Sequence, residues 1–188
     1  IDSFVKKTDI PVVTSLMWLD SIDHTIKNYI WMIWSYGNRR ANIGIMNCDL
    51  LIVLWSRLDI RQTWAIKEKF CPGAKIIHVD IDNNELWYNI KHINLKIHQD
   101  VKDIVDGLLA FSFWKYSNRL QKLIQVKNIL KKNDNIEKEW DFYTMNHIFD
   151  VISDICPSKT IFTNDVWQTQ MRSSQSLKLS KQQQLLNC

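Results

Sequence analysis

The stretch DLLIVLWSRLDIRQTWAIKEKFCPGAKIIHVDID, residues 49–82, decides the fold of this chain. It contains two short apolar runs, Leu50–Leu54 and Lys75–Val79, which are rich in Leu, Ile and Val and end at polar residues. Runs of this length, separated by helical patterns and not by tight hairpin turns, predict buried parallel strands. We therefore expect an α/β fold in which helices cover both faces of one parallel sheet.

Charged residues gather where these two strands end. The first strand is followed by Ser56–Arg61, which reads SRLDIR, and the second by Asp80–Asp82, which reads DID. Ligands of parallel α/β sheets bind at the carboxyl ends of the strands, where loops meet the N-termini of helices. These two loops are therefore the best candidate site in the sequence.

The pattern on either side of this stretch continues the alternation of strands and helices. Apolar spacing and turn residues predict strands at Ile10–Ser15, Asn94–Ile97 and Thr160–Thr163. They predict helices at Arg40–Cys48, Arg61–Phe70, Val101–Phe111, Lys115–Lys132 and Thr144–Cys156. We expect Tyr29–Asn38 to be a loop at a strand end.

Composition narrows the classes of protein. A chain of 188 residues can bury one core, or one domain and part of another. The net charge of +4 comes from basic residues scattered among acidic ones, which argues against nucleic acid as a partner. Neither a signal peptide nor an apolar run of the roughly 20 residues needed to cross a bilayer is visible. We expect a cytoplasmic protein that does not bind a membrane.

Cysteine and histidine spacing predicts no metal site. The 4 cysteines form no CxxC pair, so we expect free thiols in a reducing compartment. The 5 histidines show no HExxH or comparable spacing. We therefore predict that no metal ion is bound by this chain's own residues.

Several motifs carry a family resemblance. They are PVVTSLMWLD (residues 11–20), WMIWSYGNRRAN (31–42), LLIVLWSRLDIRQTW (50–64), AKIIHVDID (74–82) and TIFTNDVWQTQM (160–171). In this order they resemble the large catalytic subunit of acetolactate synthase (acetohydroxyacid synthase), a thiamine-diphosphate-dependent enzyme. The resemblance implies a Rossmann-like central domain that binds a nucleotide such as FAD over residues 1–112. It implies a linker with a helix over 113–137 and the truncated start of the thiamine-diphosphate-binding α/β domain over 138–188.

The resemblance also implies a function for the parent protein. That protein would use thiamine diphosphate and Mg2+ to decarboxylate a 2-oxo acid such as pyruvate and ligate the product to a second carbonyl compound, in branched-chain amino acid biosynthesis. It would be a homodimer or homotetramer. The family's activating glutamate and its magnesium motif have no counterpart in this sequence, so we expect no catalytic residue here and no activity of this chain alone. A non-catalytic nucleotide-binding module and a truncated gene product are the alternatives.

The first candidate site centres on Arg57, Asp59 and Arg61. Alternate residues of an extended chain project to one side, so these two guanidiniums and the carboxylate could face one ligand, and Arg binds phosphate bidentately. On spacing alone, a salt-bridged surface turn fits equally well. The resemblance implies that FAD contacts Leu16, Met17, Gly37, Arg57, Asp59, Arg61, Asp80, Ile81, Asp100 and Val101.

The second candidate site is Asp165–Gln170, DVWQTQ, between a predicted strand and a helix. Such a junction can present backbone N–H groups to an anion, although an amide-rich loop that caps a helix has the same pattern. The resemblance implies that Val166 and Gln168 approach the diphosphate of thiamine diphosphate. At Trp167 the family has glycine, and at Thr169 it has histidine.

The tryptophan content is abnormal. The chain has 9 Trp and 4 Gly, whereas ordinary usage of about 7% would give roughly 13 Gly. The resembling family usually has glycine at Trp18, Trp31, Trp34, Trp55, Trp64 and Trp167, and Trp87 is a further candidate. We hypothesise that UGA codons, which some bacterial lineages read as glycine, have been translated here as tryptophan. The alternative is that these are ordinary core tryptophans.

Overall fold

The computed structural model describes residues 1–33, 35–88, 92–112, 115–134 and 144–187. Helices and strands alternate from the start of the chain to residue 110. They are α1 (Asp2–Thr8), β1 (Val12–Thr14), β2 (Tyr29–Met32), α2 (Arg39–Met46), β3 (Leu50–Leu54), α3 (Ile60–Thr63), β4 (Lys75–Asp80), α4 (Glu85–Tyr88), β5 (Leu95–His98) and α5 (Val101–Ala110). Short 3₁₀ helices lie at Leu16–Ser21 and Lys67–Lys69.

The second part of the chain begins with two helices and ends in a βαβ unit. Its elements are α6 (Ser117–Asp134), α7 (Met145–Ile155), β6 (Ile161–Asn164), α8 (Gln168–Ser176) and β7 (Gln184–Asn187). The predicted linker, residues 113–137, falls partly outside the described residues, so the domain division remains a prediction. None of the described helices has both the length and the apolar character needed to cross a bilayer.

Every strand pair in the described residues is parallel, which confirms the predicted α/β class. Strand β1 pairs with β2, the strands β3, β4 and β5 form a second group in that order, and β6 pairs with β7. The loops that follow β1 and β3 meet, because the rings of Trp18 and Trp55 lie 4.5 Å apart between centroids. Strands β1 to β5 therefore direct their carboxyl ends to a common side, which we call the carboxyl edge.

Two clusters of buried apolar side chains hold these layers together. The first joins β2 to the C-terminal part of the chain, through Tyr29, Met32, Leu177, Leu179 and Leu185 among others. The second lies between α2 and the β3–β4 pair and includes Ala41, Val53, Phe70 and Ile76. Strand β2 is buried at all four positions. This explains why its sequence, YIWM, has no alternation of apolar and polar residues.

Three local predictions differ from the structure. The helix predicted over Arg61–Phe70 is wrong, since α3 ends after one turn at Trp64, whose φ of 60° and ψ of 174° stop it. The loop predicted over Tyr29–Asn38 begins with strand β2. The C-terminal strand β7 was not predicted, because its four residues show no apolar alternation and owe their extended form to pairing with β6.

Candidate functional site

The carboxyl edge is built by the register of three strands. Leu54 at the end of β3 lies opposite Val79, and Asp80 at the end of β4 lies opposite His98. The N–H of Trp55 donates to the carbonyl of Val79 at 3.1 Å, so pairing continues one residue past β3. The loops after β3, β4 and β5 are therefore neighbours, as the sequence predicts for parallel strands.

His78 fixes the loop that follows β3. Its imidazole is buried in β4, and Nε2 lies 2.8 Å from the carbonyl oxygen of Ser56. Burial lowers the pKa of His78, so the neutral ring donates from Nε2 to this carbonyl. Nδ1 has no hydrogen-bond partner within the described residues. This contact was not predicted from the sequence. The one feature that could have indicated it is a histidine between the apolar residues Ile77 and Val79.

Arg57 lies at the carboxyl edge, in the loop after β3, and its side chain contacts the helix that follows β4. Its Nε donates to Oε1 of Glu85 in α4 at 3.2 Å, which ties the loop after β3 to the helix after β4. The Arg57 side chain keeps 75% of its surface exposed. Arg57 and Asp80 thus lie on the same side of the sheet, at the ends of neighbouring strands. The role of Glu85 was not predicted, because it is 28 residues away along the chain.

Asp59 and Arg61 form a separate local unit. The chain turns at Leu58, whose φ is 50°, and Asp59 then caps α3 by accepting from the N–H groups of Arg61 and Gln62 at 2.9 and 3.2 Å. The other carboxylate oxygen of Asp59 accepts from the Arg61 guanidinium at 3.2 Å. The extended arrangement expected for residues 57–61 is therefore wrong. The Arg61 side chain is still 69% exposed and open to a ligand.

Asp80 and Asp100 shape the turns in which they lie. The buried Asp80 accepts from the N–H of Asp82 at 2.9 Å, and Asp100 caps α5 by accepting from the N–H of Lys102 at 2.7 Å. Their neighbours in the predicted site are Ile81, which is exposed, and Val101, which is partly buried. Within the described ranges, no group of three or more His, Cys, Asp or Glu side chains is placed to hold a metal ion.

The loops after β1 and β2 complete the edge. Leu16 and Met17 begin the 3₁₀ helix that follows β1, and the Met17 side chain is exposed. Gly37 lies between β2 and α2. Ser35, two residues earlier, donates from its N–H and its hydroxyl to the carbonyl of Arg61 at 3.1 and 3.2 Å. The structure thus brings the Gly37 loop next to the arginine-containing loop.

The second candidate site lies at the start of α8. Asp165 accepts from the N–H of Val166 at 2.8 Å, and no side chain caps the helix, which begins after Trp167. The far end of α8 contacts the Gly37 loop, where Asn38 Nδ2 donates to the Gln175 carbonyl at 3.1 Å. Seven residues of helix rise by about 10 Å, so Gln168 lies roughly that far from this contact. The described structure joins the two candidate sites through the length of α8.

A cavity of about 400 Å³ lies beside the edge. Its walls are largely apolar and come from the facing sides of β1 and β3, at Val12, Val13, Leu51 and Val53, with residues 100–106 at one end. Of the residues predicted to contact FAD, only Asp100 and Val101 line it. The cavity separates two strands that are not hydrogen-bonded to each other. It therefore lies between two separate sheets, and neither Arg57 nor Arg61 lines it.

Parallel α/β layers with charged loops at the carboxyl edge define the class of α/β domains that bind ligands at the ends of their strands. Residues 1–108 match the family model described as thiamine pyrophosphate enzyme, central domain. This match covers more than half of the chain. The chain therefore belongs to the thiamine pyrophosphate enzyme family. It is also similar to acetolactate synthase large subunits.

Three curated relatives show the extent of the similarity. The chain is 33% identical over 187 residues to the acetolactate synthase large subunit of Cyanidium caldarium, with 95% of this chain and 31% of the relative covered. It is 30% identical to the acetolactate synthase isozyme 1 large subunit of Escherichia coli K12, with 99% and 33% covered. It is 29% identical to acetolactate synthase 2, chloroplastic, of Nicotiana tabacum, with 97% and 28% covered. The chain spans about a third of the length of these relatives.

Proposed function

We propose that this chain is the central nucleotide-binding part, together with the start of the thiamine-diphosphate-binding part, of an acetolactate-synthase-like enzyme. The observation that carries the proposal is the similarity to acetolactate synthase large subunits, which extends over 95% or more of the chain. The parent enzyme would decarboxylate a 2-oxo acid such as pyruvate and ligate the two-carbon product to a second carbonyl compound. It would act as a homodimer or homotetramer.

The geometry of the carboxyl edge favours the binding of a dinucleotide such as FAD. Arg57 and Arg61 expose guanidiniums that can donate to phosphate oxygens, and guanidinium–phosphate hydrogen bonds are among the strong ones in proteins. Glu85 and Asp59 hold these two side chains in place. The carboxylates of Asp80 and Asp100 accept hydrogen bonds from backbone N–H groups of their own turns. We therefore assign these two residues to shaping the loops around Ile81 and Val101.

The geometry at the start of α8 favours binding of the diphosphate group of thiamine diphosphate. Val166 and Gln168 flank a helix N-terminus without a side-chain cap, and free N–H groups at such a terminus favour an anion. Trp167 fits this assignment poorly, because its indole is 74% exposed beside those N–H groups. When bound, thiamine diphosphate supplies the carbanion chemistry of the reaction, and the protein orients it. Since the family's activating glutamate and Mg2+ motif are not among these residues, we expect no turnover by this chain alone.

Titration with FAD, followed by flavin fluorescence, tests the nucleotide assignment. Arg57→Ala and Arg61→Ala should each weaken binding by about tenfold or more, since a hydrogen bond to a charged group contributes about 1.5–3 kcal/mol. Arg119→Ala is the matched control. Arg119 is also exposed, but it pairs with Asp49 just before β3, at the opposite edge of the sheet.

The outcomes of this titration separate the alternatives. Loss of affinity in the two edge variants but not in Arg119→Ala supports FAD binding at the carboxyl edge. Equal losses in all three variants, or no FAD binding by the unaltered chain, would refute it. Binding of adenosine diphosphate without FAD would instead support a nucleotide-binding module that holds no flavin.

A further inference from the structure

The backbone at four tryptophans adopts a conformation that side chains disfavour. Six tryptophans lie in the described parts of the chain: Trp18, Trp31, Trp55, Trp64, Trp87 and Trp167. Four of them have positive φ, namely Trp31 (107°), Trp55 (54°), Trp64 (60°) and Trp167 (72°). Only a few per cent of non-glycine residues in proteins have positive φ, and those are mostly Asn, Asp or His. The four glycines of the chain supply no positive-φ position.

Two of these positions lie where glycine alone is comfortable. Trp64 combines φ 60° with ψ 174°, and Trp167 combines φ 72° with ψ −128°. With positive φ and extended ψ, a Cβ atom collides with the backbone, so the first conformation is essentially confined to glycine and the second lies close to it. The φ of Trp31 also lies well beyond the left-handed helical range of about 50–70°. These values describe glycine positions occupied by the largest side chain.

The indoles do not explain why tryptophan should stand there. The side chains of Trp55 and Trp167 are 53% and 74% exposed, so most of their apolar surface faces solvent. Trp31 is buried against Arg40, His24 and Tyr29. Its indole N–H has no hydrogen-bond partner among the described residues, which is a cost that a buried tryptophan normally avoids.

Three of the four positions lie at a junction between elements, whereas Trp31 lies inside strand β2, where the register with β1 shifts. Trp55 follows the last residue of β3 and still donates its N–H to Val79. Trp64 terminates α3, and Trp167 precedes the first residue of α8. Positive φ at such junctions is the usual reason for a glycine in an α/β protein. Trp55 and Trp167 also lie in the loops that carry the two candidate cofactor sites.

We infer that glycine is the native residue at positions 31, 55, 64 and 167, and that UGA codons read as tryptophan placed the indoles there. The backbone geometry carries this inference, which does not depend on the proposed function. It has a consequence for that function. With glycine at 167, the start of α8 no longer carries an indole, and the poor fit of this loop to a diphosphate is relieved.

Substitution at the exposed or half-buried positions tests the geometry. Trp55→Gly, Trp64→Gly and Trp167→Gly should each raise the thermal midpoint by about 2–4 °C, the shift that roughly 1 kcal/mol produces in a domain of this size. Trp18→Gly and Trp87→Gly are the matched controls. Trp18 has φ −121°, and Trp87 lies in helix α4. Both controls should lower the midpoint, because glycine adds flexibility there without relieving a positive φ, and it removes the contacts of Trp18 with Trp55 and of Trp87 with Lys96.

The inference is overturned if all five substitutions lower the midpoint alike. Peptide mass spectrometry of the protein made by its own host gives a second, independent test that also covers Trp31. Trypsin cleaves after Arg61 and Lys67, which releases the peptide QTWAIK containing position 64. We expect a peptide lighter by the difference between a tryptophan and a glycine residue. A peptide of the tryptophan mass, or a UGG codon at position 64, would refute recoding there.

Discussion

Replacing His24 by leucine should weaken the packing of the C-terminal part of the chain against the first sheet. His24 is buried, and both ring nitrogens are engaged: Nδ1 accepts from the N–H of Leu179 at 3.1 Å, and Nε2 lies 2.7 Å from the carbonyl of Leu19. The ring also stacks on Tyr29, with centroids 4.3 Å apart. Leucine occupies a similar volume but can make neither hydrogen bond. The contact fixes the segment that follows α8.

The expected loss can be worked out from the groups left unpaired. Leucine at position 24 leaves the N–H of Leu179 and the carbonyl of Leu19 without partners, and each buried unpaired group costs about 1–3 kcal/mol. His24→Leu should therefore lower the free energy of unfolding by about 2–6 kcal/mol, a large part of the roughly 5–15 kcal/mol of a typical domain. His24→Asn, whose Oδ1 can replace Nδ1 as acceptor, should lose about half as much.

Urea denaturation followed by circular dichroism measures both variants. His98→Leu is the control, because His98 is exposed at the end of β5 and bonds only at the surface, to the carbonyl of Ile81 at 2.8 Å. It should change stability by no more than about 1 kcal/mol. A loss below about 1 kcal/mol for His24→Leu, or an equal loss for His98→Leu, would refute a buried His24 bonded to Leu179.

Three further predictions concern pH and helix capping. Burial lowers the pKa of His24 and His78 below about 6.5, so below that pH the unfolded chain binds more protons than the folded one. Urea midpoints should therefore fall as the pH is lowered from 7.5 to 5.5, and they should level off below the folded-state pKa values of the two histidines. Unchanged midpoints would contradict the burial of these rings. The hydrogen bond from Lys27 lowers the pKa of Asp9 in the folded chain. The ionised Asp9 therefore stabilises the fold fully above the usual aspartate pKa, and this stabilisation is lost as the pH falls through the lowered folded-state pKa. Asp9→Asn, which tolerates the left-handed φ of 56°, should lower stability at pH 7 and flatten the acid limb of the profile; an unaltered acid limb would count against the ion pair. Asp100→Ala should cost about 1 kcal/mol through loss of the α5 cap, whereas Asp100→Asn should keep most of it, and equal urea midpoints for the two would reject the cap.

The sequence by itself determined the central strands and the edge at which a ligand would bind. Leu50–Leu54 was predicted with the bounds that the structure has, and the run Lys75–Val79 is one residue shorter than strand β4. Short runs of branched apolar residues that end at charged ones leave few alternatives to a buried parallel strand. For the same reason the loops after β3 and β4 could be predicted to be neighbours, since parallel strands bring their carboxyl ends together.

Tertiary structure decided the conformation of those loops and their partners. The salt bridge from Arg57 to Glu85 joins two segments that are 28 residues apart. The positive φ of Leu58 belongs to a side chain buried in the second apolar cluster. Strand β7 exists because β6 offers its hydrogen-bonding edge, and no local pattern in its sequence signals that pairing. Local preference fixes an element when burial and periodicity agree. Leu58 takes a positive φ that a leucine disfavours, so the surrounding packing selects it, and only the folded chain reveals it.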